Sequence, residues 1–201
     1  VLVLMVTIWA ARLGTYLLIR VAKHHPEEDG RYAALRQQFP NHTWAMFLGF
    51  FEAQGVLIAL LSVPFVLVFI NGAPGLGVFE YAGAALWLLA MLGESAADAQ
   101  LNRFRSDPAN KGKTCRVGLW KYSRHPNYFC EWLVWVAYFI YALGSPGGWM
   151  AVYAPALMYL FLTKVTGIKA TEEHAVRSRG DDYREYQRTT NAFFPWFVRR
   201  G

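Results

Sequence analysis

Five apolar stretches, at about residues 1–21, 44–70, 78–97, 128–143 and 149–168, alternate with segments that carry nearly all of the charge. A helix needs about 20 apolar residues to cross the hydrocarbon core of a bilayer. Within lipid, only helices and closed barrels satisfy every backbone N–H and C=O. Runs this long and continuous predict an all-α fold: a single polytopic membrane helix bundle of about five spans over residues 1–201, ending in a polar, amphipathic C-terminal tail. A composition that is 55% hydrophobic and 16% aromatic is too apolar for a soluble domain and ordinary for a multi-span protein. Pro64 predicts a kink in the second span if its helix continues. The chain opens on Val1 already inside an apolar run, with no basic n-region before it, and one or two further spans are expected upstream.

Charge asymmetry sets the expected topology. The turns at 71–77 and 144–148 contain no Lys or Arg, whereas the segments 21–43 and 99–126 and the tail from Lys169 hold most of them. By the positive-inside rule the basic face is cytoplasmic, as in a multi-pass protein of a bacterial inner membrane, and three polar segments converge there. The net charge of +6 is thereby assigned to topology and not to nucleic acid. Cys115 and Cys130 form no C-x-x-C and have no His at ligand spacing, so reduced thiols and no metal site are expected. No Gly-rich phosphate loop occurs, which argues against a Rossmann-type nucleotide site. Inside the spans, Arg12 and Glu52 are expected to face the bundle interior, because a charge turned into lipid is costly.

The most chemical stretch is 118–131, which gathers Lys121, Arg124, His125, Asn127, Tyr128 and Glu131 just before the fourth span. Pro126 suits a first helical turn, where its missing N–H is not needed. Asn127 and Glu131 then share one face, with Tyr128 beside them. Interfacial anchoring accounts for any one of these residues but not for all six. Glu94 and Asp98 likewise share a face at the end of the third span, and Arg105 returns to it seven residues later. Topology accounts for basic residues but not for Glu94, Asp98 and Glu131, which the membrane penalises. Arg103, Arg105, Lys111, Lys113, Arg116, Lys121 and Arg124 beside these carboxylates suit a polyanionic ligand with a sugar, such as a dinucleotide phosphate: guanidinium groups hold phosphates, and carboxylates accept from ribose hydroxyls.

G-L-W-x-Y-S-R-H-P-N-Y-x-x-E at 118–131, with E-S-A-A-D at 94–98, F-R-S-D-P at 104–108 and a tail of the E-E-H, Y-x-x-Y, F-F-P-W kind, resembles the steroid 5α-reductase superfamily, most closely a bacterial branch of membrane proteins related to the reductase C-terminal domain. The resemblance covers nearly the whole chain and is strongest from Glu94 onward. It implies an NADPH pocket on the cytoplasmic side. Asp98 and Arg105, with Glu94 nearby, match the positions that hold the adenosine and phosphate end. Arg124, His125, Asn127, Tyr128 and Glu131 match the block lining the nicotinamide half, and His174, or its neighbours Glu173 and Arg177, matches tail residues that close over the cofactor. The implied activity is reduction of an activated C=C bond in a lipid or sterol-like substrate. Two departures stand out: Cys130 occupies a position where the family usually has Gly, and Trp9 falls near the steroid enzymes' catalytic Tyr, so no proton donor is assigned.

Isoprenylcysteine carboxyl methyltransferases and phospholipid methyltransferases share an R-H-P-x-Y core, making S-adenosylmethionine-dependent methyl transfer the alternative. Asn127, Glu131 and the surplus of arginines favour the reductase, because a cationic sulfonium does not need them. A non-catalytic membrane module is the third reading.

Overall fold

A computed structural model describes residues 1–26, 28, 30–71, 75–165 and 167–198, apart from the side chains of residues 20, 23, 24, 30, 31 and 34. The described residues form α1 (Leu2–His24), α2 (Gly30–Gln38), α3 (Thr43–Phe69), α4 (Val78–Ser106), α5 (Pro126–Ala142), α6 (Tyr153–Leu160), α7 (Ile168–Arg179) and α8 (Asp181–Thr189), with no strand among them. The fold is an all-α membrane helix bundle. Leu2–Ile19, Thr43–Phe69 and Gly148–Arg179 are each long and apolar enough to cross a bilayer, and α4 and α5 bring the helical segments to about the five expected.

The third apolar stretch, expected to about Ala97, lies in α4, and the helix runs on to Ser106, which keeps Arg105 in helical register with Glu94 and Asp98. No Gly or Pro lies between Ala97 and Pro108, and the helix ends where Asp107, restricted by that proline, turns extended (φ −83°, ψ 117°). The fifth stretch is not one regular helix. It opens as a 3-10 turn at Gly148–Val152, becomes α6, and passes through a π-helical turn at Phe161–Val165.

The chain divides into two compact units, residues 1–66 and 67–201. In the first, Tyr32 meets the rings of Phe47, Phe50 and Phe51 at 6.0–6.2 Å. Arg36 lies over Phe47 and pairs with Glu28 at 2.9 Å. Arg12 on α1 is partly buried, but Glu52 on α3 is exposed, contrary to the interior position expected of it. α3 is apolar almost all round and has no polar face to turn inward.

The second unit is organised by the α4–α5 pair. The helices approach closely at Gly83, where a Cβ would stand 2.7 Å from the Tyr141 nitrogen and 2.8 Å from the Ala137 carbonyl oxygen. Small residues at helix contacts serve this purpose in membranes, where close packing replaces hydrophobic association. Trp87 Nε1 donates to Tyr138 Oη at 3.2 Å in the buried seam. One turn above Ala90, Cys130 Sγ fills the space over Gly93, where a Cβ would be 2.8 Å from the sulfur. The glycine at this contact thus stands on the facing helix, at Gly93.

The two charge-free turns meet at one end of this pair. Asn71 Nδ2 donates to Ser145 Oγ at 3.1 Å and to the Gly144 carbonyl at 3.4 Å. Glu80 accepts from the Gly77 N–H at 2.9 Å and lies so close to Gly144 that a Cβ there would be 1.9 Å from its Oε1. The opposite end of α4 and the start of α5 carry the polar constellation.

Candidate functional site

The start of α5 is built by hydrogen bonds from the chain's far end. Pro126 occupies the first turn, and the His125 N–H, just before it, donates to Ser123 Oγ at 3.1 Å. The Ser123 hydroxyl in turn donates to the Phe193 carbonyl at 2.9 Å. The Arg124 N–H donates to the Asn191 carbonyl and the Trp196 N–H to the Tyr122 carbonyl, both at 2.9 Å. Tyr186, buried on α8, donates its hydroxyl to the carbonyls of Trp120 and Ser123. Residues 190–196 therefore run as a strap beside 122–125.

Glu172 on α7 is the hub. Its Oε1 accepts from Arg124 Nε at 2.7 Å and its Oε2 from Arg124 Nη2 at 3.1 Å, a two-point pairing of guanidinium with carboxylate. Oε1 also lies 3.1 Å from His125 Nε2, and Oε2 accepts from Gln187 Nε2 at 2.8 Å. An ionised carboxylate only accepts, so His125 carries its proton on Nε2. The imidazole is nearly inaccessible, and burial pushes its pKa down, opposed by the Glu172 carboxylate. It stacks on Tyr128, with centroids 5.3 Å apart and planes 6° from parallel. Thr171 Oγ1 donates to the Gly167 carbonyl at 2.9 Å, so the Tyr128 hydroxyl is the donor in its 3.3 Å contact with Thr171.

Arg124 was expected as an anion ligand. Its Nη1 donates to the carbonyls of Gln187 (2.9 Å) and Thr190 (2.7 Å), which with the two bonds to Glu172 makes four internal contacts. The guanidinium holds the tail to the start of α5, and its donors are largely used before any ligand arrives.

A second polar pair spans α4 and α5. Asn127 Nδ2 donates to Asp98 Oδ1 at 3.2 Å, while Asn127 Oδ1 accepts from the Tyr128 N–H at 3.0 Å, which fixes the orientation of the amide. Both residues are half-buried. One turn deeper on each helix lie Glu94, which is buried, and Glu131, which accepts from Trp135 Nε1 at 3.2 Å. Arg105 is exposed near the end of α4.

Of the residues expected at the site, the structure joins Arg124, His125 and Tyr128 into one cluster and Asp98 with Asn127 into another. Glu173 and His174 are exposed on α7 and take no place in the Glu172 cluster. The residue that does, Glu172, was missed, as were Gln187 and Thr171. A signal existed: Ile168 and Ala175 are the buried positions of α7, and residues 168, 172 and 175 share a helical face. Together these groups present a neutral, stacked imidazole–phenol pair and a carboxylate–amide pair on adjoining sides of the first turn of α5. Such a set can accept from sugar hydroxyls, hydrogen-bond a carboxamide and hold a flat ring.

No solved structure matches the chain. Uncharacterized protein C594.04c of Schizosaccharomyces pombe is 25% identical over 215 residues, covering 94% of this chain and 61% of its own length. The chain thus spans about three-fifths of that relative. Residues 1–190 match the family described as "Protein of unknown function (DUF1295)", a match that extends from α1 through α8 and contains every residue of both polar clusters. The chain belongs to the DUF1295 family.

Proposed function

We propose that this protein is a membrane-embedded, NADPH-dependent reductase of an activated C=C bond in a lipid or sterol-like substrate, with its cofactor bound at the cytoplasmic end of α4 and α5. The observation that carries the reading is the Asp98–Asn127 pair, 3.2 Å apart across the two helices. A carboxylate and an oriented amide, half-buried at the end of a membrane bundle, are expensive to keep unless they serve a polar ligand.

The residues fit a dinucleotide. The Asp98 carboxylate suits ribose hydroxyls. Arg103 and Arg105, exposed on the last turns of α4, suit phosphate. Asn127, with His125 and Tyr128 on the next face, suits the carboxamide and ring of the nicotinamide. When bound, the cofactor supplies a hydride. Glu172 holds the His125 ring against Tyr128 and fixes its tautomer, and the strap at 190–196 limits water at the start of α5. In this reading Arg124 positions the tail and does not bind phosphate.

The test is a thermal-unfolding titration in detergent with NADPH, NADH and S-adenosylmethionine. A ligand at 100 times its dissociation constant stabilises by about 2.7 kcal/mol. Stabilisation by NADPH alone is expected. Stabilisation by S-adenosylmethionine alone would replace the reductase with a methyltransferase.

A further inference from the structure

On the side of α5 that faces α6 lies a groove of about 480 Å³, walled by Trp132, Val136 and Phe139 of α5 and by Ala156 and Tyr159 of α6, with Phe194 of the tail at its end. The volume lies in the range of small-molecule sites, at about 300–1,000 Å³. The walls present carbon almost throughout. The one indole N–H among them, Trp132 Nε1, is turned to the Pro155 carbonyl at 3.0 Å. At the tail end the rings pack edge to face: Phe193 meets Phe194 at 5.2 Å, Tyr159 at 5.3 Å and Trp132 at 5.9 Å, with interplanar angles of 89°, 81° and 68°. Ala156 and Val152 are exposed, so the groove opens sideways.

We propose that this groove binds the hydrocarbon chain of a membrane phospholipid. Its walls belong to α5 and to the apolar run Gly148–Arg179, so the medium at its open side is the acyl region of the bilayer, and a lining of almost nothing but carbon has little to offer water. The groove is also polar at one end only. Trp132, Val136 and Phe139 follow Tyr128 along one face of α5, and one turn above Trp132 the Tyr128 hydroxyl meets Thr171. An amphiphile lying with its head at Tyr128 and Thr171 and its chain along Val136 matches this polarity. The chain would run over about 10 Å of helix between Trp132 and Phe139. The proposal concerns occupancy: the groove and the Asp98–Asn127 pair lie on different faces of α5, and Tyr128 at the rim, its ring on His125 and its hydroxyl on Thr171, is the one residue shared with the cofactor reading.

The full chain in phosphatidylcholine vesicles doped with a phospholipid bearing a photoreactive diazirine on its acyl chain supplies the test. Labelling is expected to concentrate on Trp132, Val136 and Tyr159, above that on the exposed α4 residues Leu88, Leu89 and Leu92, which report ordinary lipid contact. Ala156→Trp, which fills the groove, should lower groove labelling by about tenfold and leave the α4 labelling unchanged. Val152→Trp fills it from the exposed rim and serves the same purpose if Ala156→Trp does not fold. Labelling equal to that of Leu88–Leu92, labelling unchanged in the filled variants, or labelling by a diazirine sterol and not by the phospholipid would each overturn the proposal.

Discussion

The Glu172 carboxylate takes two hydrogen bonds from the Arg124 guanidinium, at 2.7 and 3.1 Å, and so joins α7 to the residues that start α5. Both side chains keep little solvent access, 13% and 11%. Removing one partner of such a pair leaves the other charge buried and uncompensated, a loss of about 3–5 kcal/mol. Glu172→Ala should therefore destabilise strongly, whereas Glu173→Ala and His174→Ala should stay within about 0.5 kcal/mol of the parent. Thermal unfolding of the three variants in one detergent checks this. Equal effects at 172 and 173 would contradict the assignment of Glu172 as the hub.

His125 gives stability a pH dependence. Burial lowers its pKa from the ordinary 6.5, so the folded state binds this proton less readily than the unfolded chain does. Its contribution is fully present above pH 6.5 and is lost as the pH falls through that value towards the lowered one. The parent should lose melting temperature over that window, and His125→Gln should lose less. An identical slope in both proteins would assign the dependence to other groups.

The Asn71–Ser145 contact at 3.1 Å sets the two charge-free turns at one end of the bundle. A cysteine introduced at exposed Gly75 or Trp149 should react with a membrane-impermeant maleimide from one side of the membrane, and one at exposed Lys121 from the other. The native Cys115 and Cys130 are buried and should contribute little background. Labelling of positions 75 and 121 from the same side would contradict the topology.

Gly83→Leu should disrupt the α4–α5 seam, because even a Cβ would meet the backbone of Tyr141 at 2.7 Å, and backbone cannot rotate away. Overpacking of this kind costs about 1–3 kcal/mol. Gly49→Leu on α3, where a Cβ meets nothing within 4 Å, is the control. Comparable melting temperatures for the two variants would contradict the close approach.

Much of this arrangement was legible because it follows from cost. Glu94 and Asp98 in an apolar run have to meet polar partners, but the contact of Asp98 with Asn127 across the two helices was not read from the sequence, which set Asp98 beside Arg105 on its own helix. The extension of α4 to Ser106 was implied by requiring Arg105 on the same helical face. The role of Arg124 was not legible. A cation just before a helix reads alike whether it awaits an anion or pairs within the chain, and its partner lies 48 residues away in the tail. Choosing among Glu172, Glu173 and His174 depended on which face of α7 is buried, and in so polar a helix only Ile168 and Ala175 mark that face. The break in the last apolar run followed from a π-helical turn at Phe161–Val165, for which hydropathy has no signature.

The most direct measurement of the central claim is a calorimetric titration of NADPH into the detergent-solubilised parent and into Asp98→Ala and Arg105→Ala. A charge-assisted contact is worth about 1.5–3 kcal/mol, so each variant should bind NADPH about one to two decades more weakly than the parent while melting at a similar temperature without ligand. NADPH bound as tightly by both variants as by the parent, or S-adenosylmethionine binding that collapses in them instead, would contradict the account.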